Sequence, residues 1–139
     1  MKDKKPTRRE KILAFEKKPI ARAGREVLTL CEQIAASMSK MYKYQLGAEI
    51  CHAGTDLVGA IYLALDDMGF SQKKEADIKI INEKLINLLV VVRVARDVNQ
   101  VSATLYEPLI SKIVSVKAQT ENWLGFIQKE NESADAKDK

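Results

Sequence analysis

The sequence predicts an all-α protein, an antiparallel up-down four-helix bundle, on three observations. Only three prolines and six glycines punctuate the 139 residues, which leaves long stretches free of helix breakers. Apolar residues recur at steps of three and four in four of these stretches, the repeat of a helix face rather than the alternation of a strand. The polar linkers between them are short, so consecutive helices should pack as antiparallel neighbours. With 46% hydrophobic residues the chain has enough apolar material for one core.

The first helix is predicted just after Pro19, a residue suited to a helix start, with Ile20, Ala23, Val27, Cys31, Ile34, Met38 and Met41 on its inner face. Its end, near "KMYKYQ", carries no glycine or proline to mark it. The second helix follows Leu46, Ile50, Ala53, Leu57, Ile61, Ala64 and Met68 and stops at Gly69 as its C-terminal cap. Gly54 and Gly59 inside it cost about 1 kcal/mol each relative to alanine, which suggests close helix approach at both. "SQKKEAD" is read as the linker to the third helix, whose seam is Ile78, Ile81, Leu85, Leu88, Val92 and Ala95. The fourth, capped by Thr104 with Glu107 in a T-x-x-E box, runs Leu105, Leu109, Ile113, Val116, Thr120, Trp123, Ile127. Residues 19–128 thus form the bundle, between a basic flexible arm at 1–18 and a polar disordered tail at 129–139.

"NLLVVVRVARDV", at 87–98, looks at first like a strand, because valine favours strands. Its spacing is helical, and Leu88 to Val92 are five consecutive apolar residues that circle a helix completely. With Ile78 at zero, the seam occupies about 260° to 360°, whereas Ile80, Val91, Val94 and Val98 fall at about 160° to 220°. This second stripe lies outside the seam, as expected of a surface for a protein partner or for self-association into a homo-oligomer. Arg93, Arg96 and Asp97 occupy about 0° to 100°. They are either an interface edge with an arginine anchor or an i,i+4 pair of Arg93 with Asp97 at a solvated helix end.

Charge is concentrated at one end. Residues 1–25 carry ten Lys or Arg against three acids, a net of +7, while the remainder is net −3. Such a segment either suits a polyanion, RNA or DNA, more than a membrane, since no amphipathic Trp/Phe face accompanies it, or is a solvating disordered tail. Candidate nucleic-acid or partner contacts are Lys17, Lys18, Arg22, Arg25, Lys43, Arg93 and Arg96. The basic N-terminus precedes no apolar signal-peptide core, and no apolar run approaches the roughly 20 residues that span a bilayer. Cys31 and Cys51 read as reduced thiols of a cytoplasmic protein.

Glu49-Ile50-Cys51-His52 contains E-x-x-H, the helix motif of di-iron bundles, but such sites need it twice and His52 is the sole histidine. No phosphate-cradling glycine motif is present, and one histidine without a paired acid is a poor basis for a catalytic triad. The expectation is a non-enzyme with no metal and no cofactor.

"YKYQLGAEI", "KLINLLVVVRVARDV" and "ENWLGFI" resemble the accessory variability determinant (Avd) family of four-helix bundles, which serve diversity-generating retroelements. The resemblance covers about residues 20 to 127. It implies a ring of five bundles that binds the element's reverse transcriptase and nucleic acid during mutagenic copying of a template RNA. An arginine of the family's third helix maps onto Arg93, an earlier one falls on Leu89, and the aromatic-glycine end of the fourth helix maps onto Trp123, Leu124 and Gly125 as packing. The same superfamily includes bundle proteins encoded in intervening sequences of bacterial 23S rRNA genes, which implies an alternative: an RNA- or ribosome-associated bundle without a polymerase partner. "DLVGAIYLA" lacks the N-I-A-E-G-like run of those proteins, which favours the retroelement reading.

Overall fold

A computed structural model describes residues 5–66 and 71–138, with side chains through 136. The described residues are overwhelmingly helical, without a strand: α1 (Arg8–Glu16), α2 (Pro19–Ser37), the short α3 (Lys40–Tyr42), a π-helical segment (Lys43–Gly47), α4 (Ala48–Asp66), α5 (Gln72–Asp97) and α6 (Ala103–Asp138). Helix α2 packs on α4 and α6, and α5 packs on the same two, so the four long helices enclose one core. The α5 seam is buried at all six expected positions, as are Ile20, Ala23, Val27, Cys31, Ile34 and Met38 of the first predicted stretch. Met41 is the exception, 78% exposed, because α2 has already ended at Ser37 and the chain has turned. Met68 and Gly69, the expected end and cap of the second stretch, lie outside the described residues.

The α2–α4 contact explains where that turn is placed. A Cβ on Gly47 would stand 3.3 Å from Ala35 Cβ, and one on Gly54 would stand 3.0 Å from Leu28 Cδ1 and 3.2 Å from Cys31 Sγ. Small residues bring these helices together, and the π-helical turn just before α4 ends at Gly47, where the approach is tight. The expectation for Gly59 fails: it is exposed, and an added Cβ would meet nothing within 4 Å.

Several boundaries differ from expectation for local reasons. Residues 8–16, within the segment read as a flexible arm, are helical because Thr7 and Glu10 form a capping box. Thr7 N–H donates to Glu10 Oε2 at 3.0 Å, and Glu10 N–H to Thr7 Oγ1 at 3.1 Å. The supposed "SQKKEAD" linker is the first turns of α5, capped by Ser71 Oγ, which accepts from Lys74 N–H at 3.1 Å. Helix α6 is capped by Ser102, not Thr104. The Ser102 carbonyl accepts from Tyr106 N–H at 2.9 Å, and Pro108 sits inside the helix. The segment read as a polar disordered tail continues α6 to Asp138, in keeping with the high helix propensity of its Lys, Glu and Ala. Between α5 and α6, Asn99 has φ 61° and the chain closes as a Schellman turn, with Gln100 N–H donating to Ala95 O and Asn99 N–H to Arg96 O.

Candidate nucleic-acid and partner interface

The predicted cations divide into groups at opposite ends of α2. Arg22 lies in its first turn, whereas Arg96 lines a small cleft with Ser37, its last residue, about 22 Å further along the axis. At the first end, Lys17 and Arg22 share a cleft with Lys112 and Glu26. Lys112 pairs with Glu26, and this hydrogen bond is the main cause holding the Glu26 carboxyl below its ordinary range. One acid therefore anchors a cluster of three cations, with Lys17 and Arg22 fully at the surface. Lys112, from α6, is absent from the sequence-based set because no local motif joins it to residues about 90 positions away.

Arg25 is differently employed. Its Nη1 donates to Tyr62 Oη at 2.8 Å and its Nη2 to Glu16 O at 3.0 Å, so it ties the C-terminal end of α1 to α4. Helix α1 has no buried residue of its own, which makes this arginine a principal tether. Helix α1, which carries the exposed Arg8 and Arg9, lies against α2 and α4, and the exposed Lys18 follows it. Lys43, exposed on the π-helical segment, lines a separate cleft with Glu32 and joins neither group.

At the far end, Arg93 and Arg96 have different environments. Arg93 is exposed, and its Nε lies 3.2 Å from Asp97 Oδ1, the i,i+4 pair foreseen as one alternative. A hydrogen bond with the Tyr106 side chain and then the Asp97 charge raise its pKa above the ordinary guanidinium value. Arg96 is half-buried. Its Nη1 donates to Val101 O at 2.7 Å and its guanidinium lies 5.8 Å from the Tyr106 ring centroid, so it fastens the α5–α6 turn. Arg96 shares the azimuth of Ile78, at the margin of the seam, which accounts for its inward position.

The second apolar stripe is only partly a surface. Ile80 and Val91 pack against the core, while Val94 and Val98 are exposed. The exposed row on α5 is Ile86, Val90, Val94 and Val98, a strict four-residue repeat running beside Arg93. Steps of four back from Val98 locate it in the sequence; an azimuth window centred near Ile80 excludes its first half.

His52 is exposed on α4, and among the described residues no group of three or more His, Cys, Asp or Glu is placed to hold a metal. No helix among them is long and apolar enough to cross a membrane. Trp123, expected as packing, does lie against the core, and Lys74 Nζ stands 5.5 Å from its ring centroid. The chain matches no protein-family model and no curated protein.

Proposed function

We propose that this chain is a non-enzymatic accessory protein of a diversity-generating retroelement, acting in the cytoplasm to bind its reverse transcriptase and template RNA or cDNA. The observation that carries the reading is the concentration of exposed cations at the start of the fold: α1 and the first turn of α2 present Arg8, Arg9, Lys17, Lys18 and Arg22 on one docked segment. A cationic surface of this kind attracts a phosphate backbone without regard to sequence. Arg93 is the candidate polymerase contact, since it is exposed beside the Ile86–Val98 row, whereas Arg96 is committed to the α5–α6 turn. The exposed row serves side-by-side assembly of bundles in a ring of five.

The bundle is read as antiparallel and up-down. Ser39 N–H donates to Gln100 Oε1 at 2.9 Å, joining the α2–α3 connection to the α5–α6 connection, while Asn131 Nδ2 donates to Ser71 O at 3.4 Å. The first bond joins alternate connections at one end, and the second brings the α4–α5 connection beside the C-terminal part of α6, both as that topology requires.

The test is deletion of residues 2–18, which removes α1 but no buried core residue. Binding of single-stranded RNA should weaken, and its log–log salt slope should flatten by roughly 0.7 for each phosphate no longer neutralised. Full-length protein should co-purify with the reverse transcriptase of its own element, and Arg93→Glu should abolish that capture. RNA binding without polymerase capture would favour the intervening-sequence type of bundle; unchanged RNA binding after the deletion would refute the role of the basic segment.

A further inference from the structure

The cleft between the α1–α2 junction and α6 has a composition distinct from the charged patch beside it. It is an open cleft of about 490 Å³, within the roughly 300–1,000 Å³ typical of small-ligand clefts. Trp123 and Phe15 supply aromatic walls, Lys18 and Lys74 supply cations from separate elements, Gln119 and Asn122 supply amides, and among the described residues no carboxylate lines it. We infer that this cleft is a stacking site for one unpaired base of a single-stranded nucleic acid, with Trp123 as the platform and Lys18 and Lys74 on the adjoining phosphate. The inference rests on the nucleic-acid reading above and names where a base, rather than the backbone, is engaged.

Each part of the cleft contributes to that chemistry. Lys74 Nζ lies over the indole at 5.5 Å, so a cation already covers the ring face that a base arriving from the cleft would stack on. A base stacking there displaces the ammonium sideways, and the flexible lysine stem lets the charge follow the phosphate attached to that base. Lys74 also sits in the first turn of α5, where the helix dipole adds to its attraction for an anion. Gln119 Nε2 is engaged with Ser115 Oγ at 3.2 Å, so its carbonyl oxygen is the group offered to a base amino hydrogen. Asn122, exposed on the next turn of the same helix, offers both a donor and an acceptor. A duplex cannot use such a site, because its bases are already stacked and paired.

Trp123 is the single tryptophan, so its fluorescence reports this cleft alone. The full-length protein is titrated with an end-labelled single-stranded oligoadenylate and with an RNA duplex of equal length, following probe anisotropy and tryptophan emission together. The expected result is that the single strand binds and quenches Trp123, whereas the duplex binds through charge with little quenching. Trp123→Ala should weaken single-strand binding roughly tenfold, in line with removal of one stacking platform, and leave duplex binding unchanged. Trp123→Phe should restore most of the affinity. Lys74→Gln, on the exterior of the core, keeps the test decisive if the tryptophan variants unfold: it should weaken the single strand more than the duplex. Single-strand binding with unquenched emission, and unchanged in Lys74→Gln, overturns this inference while the nucleic-acid reading stands. Absence of RNA binding in the anisotropy channel overturns both.

Discussion

Gly54→Ala and Gly59→Ala place the same methyl group in the same helix, five residues apart, and should shift stability in opposite directions. Both remove the conformational penalty of a helical glycine, about 1 kcal/mol. At Gly59 the new Cβ meets nothing within 4 Å, so this gain stands alone. The variant should be about 0.5–1 kcal/mol more stable than wild type, a rise of a few degrees in Tm for a chain of this size. At Gly54 the Cβ would lie 3.0 Å from Leu28 Cδ1, 3.2 Å from Cys31 Sγ and 3.5 Å from Cys31 Cβ. The Leu28 methyl can swing away, but Cys31 is fully buried on α2 and can yield only if the helices separate. Overpacking of this kind costs about 1–3 kcal/mol, which offsets or exceeds the propensity gain. Urea unfolding of the two variants beside wild type measures the difference, and because propensity cancels between them, it isolates the α2–α4 contact. A gap of at least about 1 kcal/mol is expected. Equal stabilisation of both variants would refute the close approach of α2 and α4 at Cys31.

Arg96→Ala should destabilise the bundle by about 1–2 kcal/mol through removal of the charged hydrogen bond to Val101 O, whereas Arg93→Ala should leave the denaturant midpoint close to that of wild type because its ion pair is exposed; denaturant midpoints of the two variants decide this. A thiol reagent at neutral pH should leave Cys31 unmodified in the folded chain, since burial pushes its thiol up from 9.0 to about 12. The folded pKa is the higher, so its contribution to stability is fully present below pH 9.0 and is lost as pH rises from there toward about 12, and Cys31→Ala should flatten that alkaline decline. Val90→Glu combined with Val94→Glu should convert the proposed assembly to monomers of 15.6 kDa by light scattering with helical content retained; an unaltered assembly would exclude the exposed α5 row as its interface, and a monomeric wild type would refute the assembly itself.

Seam positions are the most legible part of the fold, because burial is imposed by a period that each helix must satisfy along its whole length. The six α5 seam residues, Ile78, Ile81, Leu85, Leu88, Val92 and Ala95, follow that period without interruption, and every one is buried. Boundaries are less legible where two caps compete. Ser102 and Thr104 both precede a helix-forming run, and the Schellman turn at Asn99 sets the chain direction in favour of Ser102, a tertiary consequence of the α5 terminus. The Thr7–Glu10 box can be read directly from its spacing, yet the surrounding run of lysines and arginines suggests disorder and obscures it. Gly54 and Gly59 look alike in sequence, and only the position of α2 separates them.

The arginines show why candidate sites are less legible than seams. A guanidinium's role depends on which carbonyl, ring or carboxylate the fold places within reach, and those partners are distant or lie beyond a turn. Arg25 finds Tyr62, 37 positions away, and becomes a tether for α1; Arg96 finds Val101 across a tight turn and becomes a brace. Arg22 and Arg93 remain at the surface, one beside a cationic cluster and the other beside an apolar row. Charge counting treats all four alike, but Arg25 and Arg96 would have to surrender bonds that brace the fold to reach a ligand, whereas Arg93 would exchange only an exposed ion pair with Asp97 and a hydrogen bond with Tyr106. The proposed binding role therefore falls on Arg22 and Arg93. It follows that charge reversal at Arg25 or Arg96 would perturb binding through the fold, while reversal at Arg22 or Arg93 tests the surface itself.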